Sequence, residues 1–295
     1  MRYRTQLILG MVALVCLINC LPCSTHAYTG KLQIPSEDKT QIITLEDGSK
    51  LFGRITSIGD STVAFQGNLG EIYIEINKIR SIEEISTSSI KGGEYWFPNP
   101  NRSRLLFGPT ARSLDRGRGY FFDVWIFFPG LAYGITDNFM ISGGASIIPE
   151  LDDQLFYFAP KLSFNAGKDL DIAISLNVFR IFDHTLFIGL PNLTYGSDDN
   201  NITAGVGVAF TEDDVAENPV GTLGGMYRLS RRLAVVGEGW YIPTSESDGM
   251  IGLGGLRFFG EKMAVDFGAM VIDETGGNDE EEAQWVPYVD FIWNF

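Results

Sequence analysis

Past residue 27 the chain has no cysteine and a single histidine, His184. Cys16, Cys20 and Cys23 all lie before that point, so disulfides and thiolate metal sites are excluded from whatever follows it. One histidine without cysteine cannot supply the usual zinc ligand set. Positive charge is also scarce: Lys and Arg number 22 against 37 Asp and Glu, a formal net charge of −15. Such a chain is repelled by nucleic acid, and no basic aromatic stripe offsets the repulsion. What the sequence has instead is 34 glycines and 13 % aromatics, a mixture suited to closely apposed β-strands.

The first residues read as a targeting segment. Arg2 and Arg4 form a basic start, Leu7 to Leu21 is almost wholly apolar, and Thr25 and Ala27 put small side chains at the −3 and −1 positions of a cleavage site. That is the layout of a secretory signal peptide over 1–27, shorter than a comfortable membrane span. The alternative is lipidation at Cys20 or Cys23, which Asn19 and Pro22 make poor acceptors because a small residue is wanted before the cysteine. Cleavage after Ala27 removes two arginines, changing the formal charge from −15 to −17.

Residues 28–39 read as a flexible lead, and 40–86 as a small all-β meander or barrel-like domain. Its strands are expected at Ile42–Leu45, Leu51–Ile58, Thr62–Phe65, Ile72–Ile76 and Ile79–Ile85, separated by the turn pairs Asp47-Gly48 and Gly59-Asp60 and by Gly67–Gly70. The alternation at Ile72, Ile74 and Ile76 predicts one buried face. A polar stretch with Gly and Pro, 87–102, reads as a linker.

From 103 the grammar changes. Most expected strands lengthen to the size a tilted membrane-crossing strand requires. They fall at Arg104–Thr110, Gly119–Tyr133, Asn138–Pro149, Asp153–Asn165, Leu170–Ile181, His184–Tyr195, Asn201–Thr211, Val220–Arg228, Arg232–Ile242, Met250–Phe259, Lys262–Ile272 and Gln284–Phe295, twelve in all. Tight connections such as Gly167–Asp169 and Gly260-Glu261 alternate with longer acidic ones such as Glu212–Pro219 and Asp273–Ala283. That alternation is the outer-membrane pattern, with tight turns on the periplasmic side. Leu170, Ile172, Ile174, Leu176 and Val178 alternate with Asp171, Ala173, Ser175 and Asn177, which gives one apolar and one polar or small face. Aromatics gather near strand ends, among them Tyr120, Phe128, Tyr133, Phe139, Trp240, Tyr241, Trp285, Trp293 and Phe295, where an interface suits them. These features predict an all-β chain: a transmembrane antiparallel β-barrel of about twelve strands over 103–295, preceded by the small domain. Closure satisfies the backbone groups that open edges would leave bare in lipid.

The signal segment, the alternating last strand Val289, Phe291, Trp293 and the terminal Phe295 resemble bacterial outer-membrane β-barrel proteins. The blocks Tyr95-Trp96-Phe97-Pro98-Asn99-Pro100, Phe107-Gly108-Pro109-Thr110 and Tyr133 to Phe139 are similar to uncharacterised envelope proteins of Bacteroidetes-type bacteria. The resemblance implies an outer-membrane location, outer-membrane lipid around the wall and insertion by the barrel-assembly machinery. It implies no activity.

Asp123, Lys161, Asp171, Glu238, Asp266 and Asp290 are assigned to the inner face as a polar network. They line a narrow channel or close it, and Trp125, Phe127, Tyr157 and Trp240 supply bulk that favours a filled lumen. No catalytic, cofactor or metal residues are assigned. A lipid- or ester-modifying enzyme would need a serine beside His184, and Ser142 and Ser175 are on other strands. The acidic run 278–282 with Asp273 and Glu274 lacks the spacing of a calcium loop. The leading expectation is a non-enzymatic outer-membrane barrel, a structural or interaction component or a narrow small-solute channel, whose 40–86 domain meets a periplasmic protein partner. A membrane-barrel enzyme and a soluble periplasmic β-sandwich are the alternatives.

Overall fold

The computed structural model describes residues 32–68, 70–92, 94–148, 154–182, 184–212, 214–243, 248–275 and 283–295. The signal segment and the acidic run 278–282 lie outside these. The chain divides into two compact units, Met1–Trp96 and Phe97–Phe295.

In the first unit, β1 (Lys39–Leu45), β2 (Lys50–Ile58), β3 (Thr62–Gly67), β4 (Gly70–Glu75) and β5 (Ile79–Ser86) form one antiparallel sheet in the order β4-β3-β2-β1-β5. Its core is Ile43, Ile55, Val63, Phe65, Ile74 and Ile79. The expected buried row on β4 is corrected in one respect. Ile74 is buried opposite Val63, but Ile72, opposite Phe65 on the same edge strand, is exposed. A two-stranded hairpin, β6 (Ile90–Lys91) with β7 (Glu94–Tyr95), follows where the sequence suggested only a linker.

The second unit is a closed antiparallel barrel of twelve strands. These are β8 (Gly119–Val124), β9 (Phe128–Gly134), β10 (Phe139–Ala145), β11 (Phe156–Gly167), β12 (Leu170–Ile181), β13 (His184–Gly196), β14 (Asn200–Phe210), β15 (Val220–Ser230), β16 (Leu233–Pro243), β17 (Asp248–Phe259), β18 (Met263–Thr275) and β19 (Gln284–Asn294). The last strand pairs with β8, so no edge runs the full height of the wall. Among the described residues no helix is long and apolar enough to cross a membrane; the crossing is made by strands. Ile172, Ile174, Leu176, Ile202, Val206, Leu223 and Phe267 all point outward and are exposed, the apolar belt that lipid covers.

The expected count of twelve came from two errors that cancel. Arg104–Thr110 is not a wall strand. It makes one isolated bridge, Arg104 to Pro109, and belongs to a segment folded inside the barrel. Gly119–Tyr133 is not one strand but the hairpin β8–β9, turned at Trp125 and Ile126 with φ of 55° and 68°. A left-handed pair matches the twist of a two-stranded hairpin, but Gly or Asn is the usual occupant and an isoleucine there is strained. With no glycine to mark it, the turn was invisible in an unbroken apolar run.

Candidate functional site

The lumen is occupied by the chain itself. Residues 97–118 form a strap that begins near the tight turns, rises as a small hairpin and returns. Thr110 N–H donates to the Ser103 carbonyl (3.1 Å) and Leu105 N–H to the Gly108 carbonyl (2.8 Å), which closes the hairpin at base and tip. A short irregular segment inside a barrel has bare peptide groups, and the wall must satisfy them.

Two oppositely charged side chains take the tip and the base. Glu238 on β16 receives the N–H groups of the tip: Leu106 at 3.1 Å, Phe107 at 3.0 Å and Gly108 at 2.9 Å, with the Trp240 indole at 3.3 Å. Lys161 on β11 holds the base, its Nζ donating to the carbonyls of Ser103 (2.7 Å) and Thr110 (2.9 Å). An anion on amides and a cation on carbonyls is the charge-assisted arrangement, stronger than neutral hydrogen bonds. The tip is crowded: a Cβ on Gly108 would meet the Trp240 ring at 3.1 Å and Glu238 Oε2 at 3.2 Å.

Beside the tip two ion pairs stand together, since Asp266 and Asp290 are cross-strand partners on β18 and β19. Arg257 on β17 grips Asp266 through Nε (2.8 Å) and Nη2 (2.7 Å) and also donates to the Leu105 carbonyl. Arg104 of the strap binds Asp290 and gives a second bond to the Leu106 carbonyl at 2.9 Å. Tyr288 donates its hydroxyl to that same carbonyl at 2.9 Å. The returning limb is fixed by Arg112, which reaches Asp171 on β12 (3.0 Å) and the carbonyls of Gly196 and Ser197. Thr194 accepts from Ala111 N–H (2.8 Å), and Asn192 donates to the Pro109 carbonyl (2.8 Å). Arg228 on β15 takes the first residue of the strap, donating to the Phe97 carbonyl at 2.9 Å while paired with Asp199.

Of the six residues assigned to an inner polar network, Lys161, Asp171, Glu238, Asp266 and Asp290 all bind the strap or an arginine that binds it. Asp123 does not. On β8 the inward residues are Tyr120, Phe122 and Val124, and Asp123 sits on the opposite face beside the outward Phe291. Its misplacement follows from the missed turn, which left the parity of this strand without an anchor. Phe127 is likewise in the turn and exposed rather than filling the lumen; Tyr120, expected at the interface, points inward and is buried, and Trp240, named both for the interface and for the lumen, is in the lumen and buried. The arginines were missed altogether, although Arg228 and Arg257 share the inner parity of their strands.

Very little free space remains around Lys161. A cavity of about 20 Å³ lined by Ser103, Arg104, Tyr120, Lys161, Ser175 and Asn177 has room for about one water. The enzyme alternative finds no support in placement. His184 lies at the exposed start of β13 opposite Ile181, and among the described residues it has no serine partner. Ser142 and Ser175 are inside, bonded to the carbonyls of Ala159 and Leu190. No cluster of three or more metal-ligating side chains occurs among the described residues.

A closed antiparallel barrel with an apolar outer belt and a lumen filled by its own chain defines the class: an outer-membrane β-barrel of plugged type. Several solved structures resemble it. The KdgM porin is 9 % identical, with 60 % of this chain and 99 % of that one covered and a TM-score of 0.45. The outer-membrane protein OmpT of Vibrio cholerae is 14 % identical over 89 % of this chain and 100 % of its own, TM-score 0.35. OprD of Pseudomonas aeruginosa is 9 % identical over 87 % and 92 %, TM-score 0.35. No protein-family model matches the chain, and no curated protein matches it in sequence.

Proposed function

We propose that the chain is a non-enzymatic, non-conducting outer-membrane barrel, an anchored structural or interaction component with its N-terminal unit in the periplasm. The carrying observation is the clamp of Glu238 on three consecutive amides and Lys161 on two carbonyls. Both are buried, so each charge is neutralised only while the strap is in place, and expelling the strap would leave them bare in the lumen. That cost makes the plug a permanent part of the wall rather than a gate. Orientation follows the connections: the tight turns and the start of the strap share one end, the periplasmic end in barrels of this class. The 40–86 domain then meets a periplasmic protein partner, and the barrel-assembly machinery inserts the barrel into outer-membrane lipid.

Purified full-length protein in planar bilayers is expected to be electrically silent. The double variant Glu238→Ala, Lys161→Ala frees the hairpin at tip and base and is expected to show channel openings. Steady ohmic conductance of the unaltered protein would overturn the closed reading in favour of the narrow channel.

A further inference from the structure

The base of the strap is held by a cation that has no counter-ion. Lys161 is 4 % exposed, and of the three donors on its ammonium two go to the Ser103 and Thr110 carbonyls. Carbonyls offer it partial charge only, and among the described residues no carboxylate lies within ion-pair distance of it. The arginines of the lumen differ in this respect. Arg104 has Asp290, Arg112 has Asp171, Arg228 has Asp199 and Arg257 has Asp266. A buried charge ordinarily has a partner of opposite sign, so Lys161 stands apart from them.

Its third donor is left for the small cavity that Lys161 lines. Arg104 lines the same cavity. Its two terminal nitrogens are taken by the Leu106 carbonyl and by Asp290, but its Nε is buried and has no partner. Ser103 and Tyr120, also in the lining, share a single hydrogen bond of 3.1 Å between two hydroxyls, so one O–H is left over whichever of them donates. Three spare donors, two of them on cationic groups, therefore border a space of about 20 Å³. Among the described residues no carboxylate lines it, and the Asn177 amide gives its hydrogens to Ser175 Oγ and the Ile188 carbonyl. A water here accepts at most two hydrogen bonds and leaves one of the three donors bare. A spherical anion accepts all three and supplies the missing charge. The space admits one ion about the size of a water and no polyatomic anion.

We propose that this cavity is a site for a single halide ion, chloride in ordinary salt, taken up as the strap docks. The ion joins the wall, through Lys161 on β11 and Tyr120 on β8, to Ser103 and Arg104 of the strap. This goes beyond the closed-barrel reading, because a silent pore needs the strap and not the ion. The test uses full-length protein refolded into vesicles, with chloride or bromide replacing gluconate, an anion too large for the space, at constant ionic strength. The urea unfolding midpoint is expected to rise with either halide and then saturate, as for one bound ligand. A midpoint that does not move, or that climbs without a plateau, overturns the proposal. Lys161→Met is expected to abolish the response. Where that variant does not fold, Ala159→Val fills the space from its lining without altering a charged group and is expected to do the same. A folded variant of either kind that keeps the full response also overturns it. Crystals grown in bromide are expected to show one anomalous scatterer within hydrogen-bond reach of Lys161 Nζ and Arg104 Nε; water alone at that position removes the site. A silent bilayer recording together with a midpoint indifferent to halide would retain the plug and remove the ion.

Discussion

The two units of this chain use one strand grammar and bury opposite faces. In the N-terminal sheet an apolar cluster goes inside, and Ile43, Val63 and Phe65 have almost no exposure. In the barrel an apolar row goes outside, Ile174 at 54 % and Phe267 at 54 %, and the buried positions hold Arg257, Asp266 and Asp290 beside inward apolar residues such as Leu190 and Ile292. The difference follows from the solvent each face meets. A small sheet in water must make its own hydrocarbon interior. A barrel in lipid has that environment supplied from without, so hydrophobic burial cannot specify what fills its centre. Directional bonds specify it instead, which is why so many strap carbonyls and amides have a named partner on the wall. Polar specification is exacting: a half-satisfied network is worse than none.

The largest effects that sharpen this comparison come from one substitution in each interior. Phe65→Ala is expected to cost about 3–5 kcal/mol, enough to unfold so small a sheet. Asp266→Ala is expected to cost a similar ~3–5 kcal/mol because Arg257 is left charged and buried. The origins differ, and a second change separates them. Replacing the pair together, Arg257→Met with Asp266→Leu, is expected to recover most of the barrel's loss, while a polar residue at 65 recovers nothing. Urea titrations of the full-length protein in vesicles, followed by circular dichroism for each variant, read both. A double replacement no better than Asp266→Ala would contradict the account of the interior.

Next in size is the outer face. Ile174→Arg, at an exposed lipid-facing position on β12, is expected to destabilise the barrel by about 2–4 kcal/mol near the bilayer midplane. The same change on a water-exposed face, Tyr73→Arg in the N-terminal sheet, falls within about 0.5 kcal/mol of neutral. Equal effects at the two sites would mean that the barrel's belt does not face lipid.

How far the sequence foretold all this depended on whether local punctuation marked the structure. Leu170–Ile181 and His184–Tyr195 were legible because a strict period of two and a clear turn fix both boundaries and parity. The hairpin at Val124–Phe128 was not, since Trp125 and Ile126 take a conformation that usually needs glycine. The strap was mistaken for a strand because Arg104–Thr110 has a strand's composition, and only the tertiary partners Glu238 and Lys161 give it its place. Carboxylates on the inner parity were found, but their arginines were overlooked; inner parity on β15 and β17 would have found Arg228 and Arg257. Arg104 and Arg112 lie on the strap, where no periodicity exists to read.

The strap tip allows a smaller and sharper test. Gly108→Ala puts a methyl within 3.1 Å of the Trp240 ring and 3.2 Å of Glu238 Oε2. A few tenths of an ångström of movement relieves the clash, so the expected loss is about 1–3 kcal/mol, with a longer distance from Glu238 to the 108 amide. Hydrogen exchange should show this as faster exchange at 106–108 with the wall strands unchanged. Uniform acceleration through β16 to β19 would mean that the tip is part of the wall's own cooperative unit rather than an insert clamped onto it.

The smallest effect belongs to the surface of the N-terminal sheet, where polar bonds are made in water. In the β1–β2 turn Ser49 N–H donates to Asp47 Oδ1 at 2.8 Å, and this bond with that to the Ser49 side chain holds the Asp47 carboxyl below its ordinary value. A carboxyl depressed in the folded state stabilises it above the ordinary carboxylate range and stops doing so as pH falls through the depressed value. The direction is thus set, but the side chain is fully exposed and the bond competes with water, so the effect on unfolding is slight. An NMR titration should place the Asp47 midpoint below that of an unstructured aspartate, and Asp47→Asn should flatten the small acid-side slope in stability. A midpoint at or above the unstructured value would show that this turn bond does not persist in solution. Its counterpart in the barrel, Glu238 on three amides, is denied water, and the contrast between a slight and a large loss at the two carboxylates measures what burial adds to the same hydrogen bond.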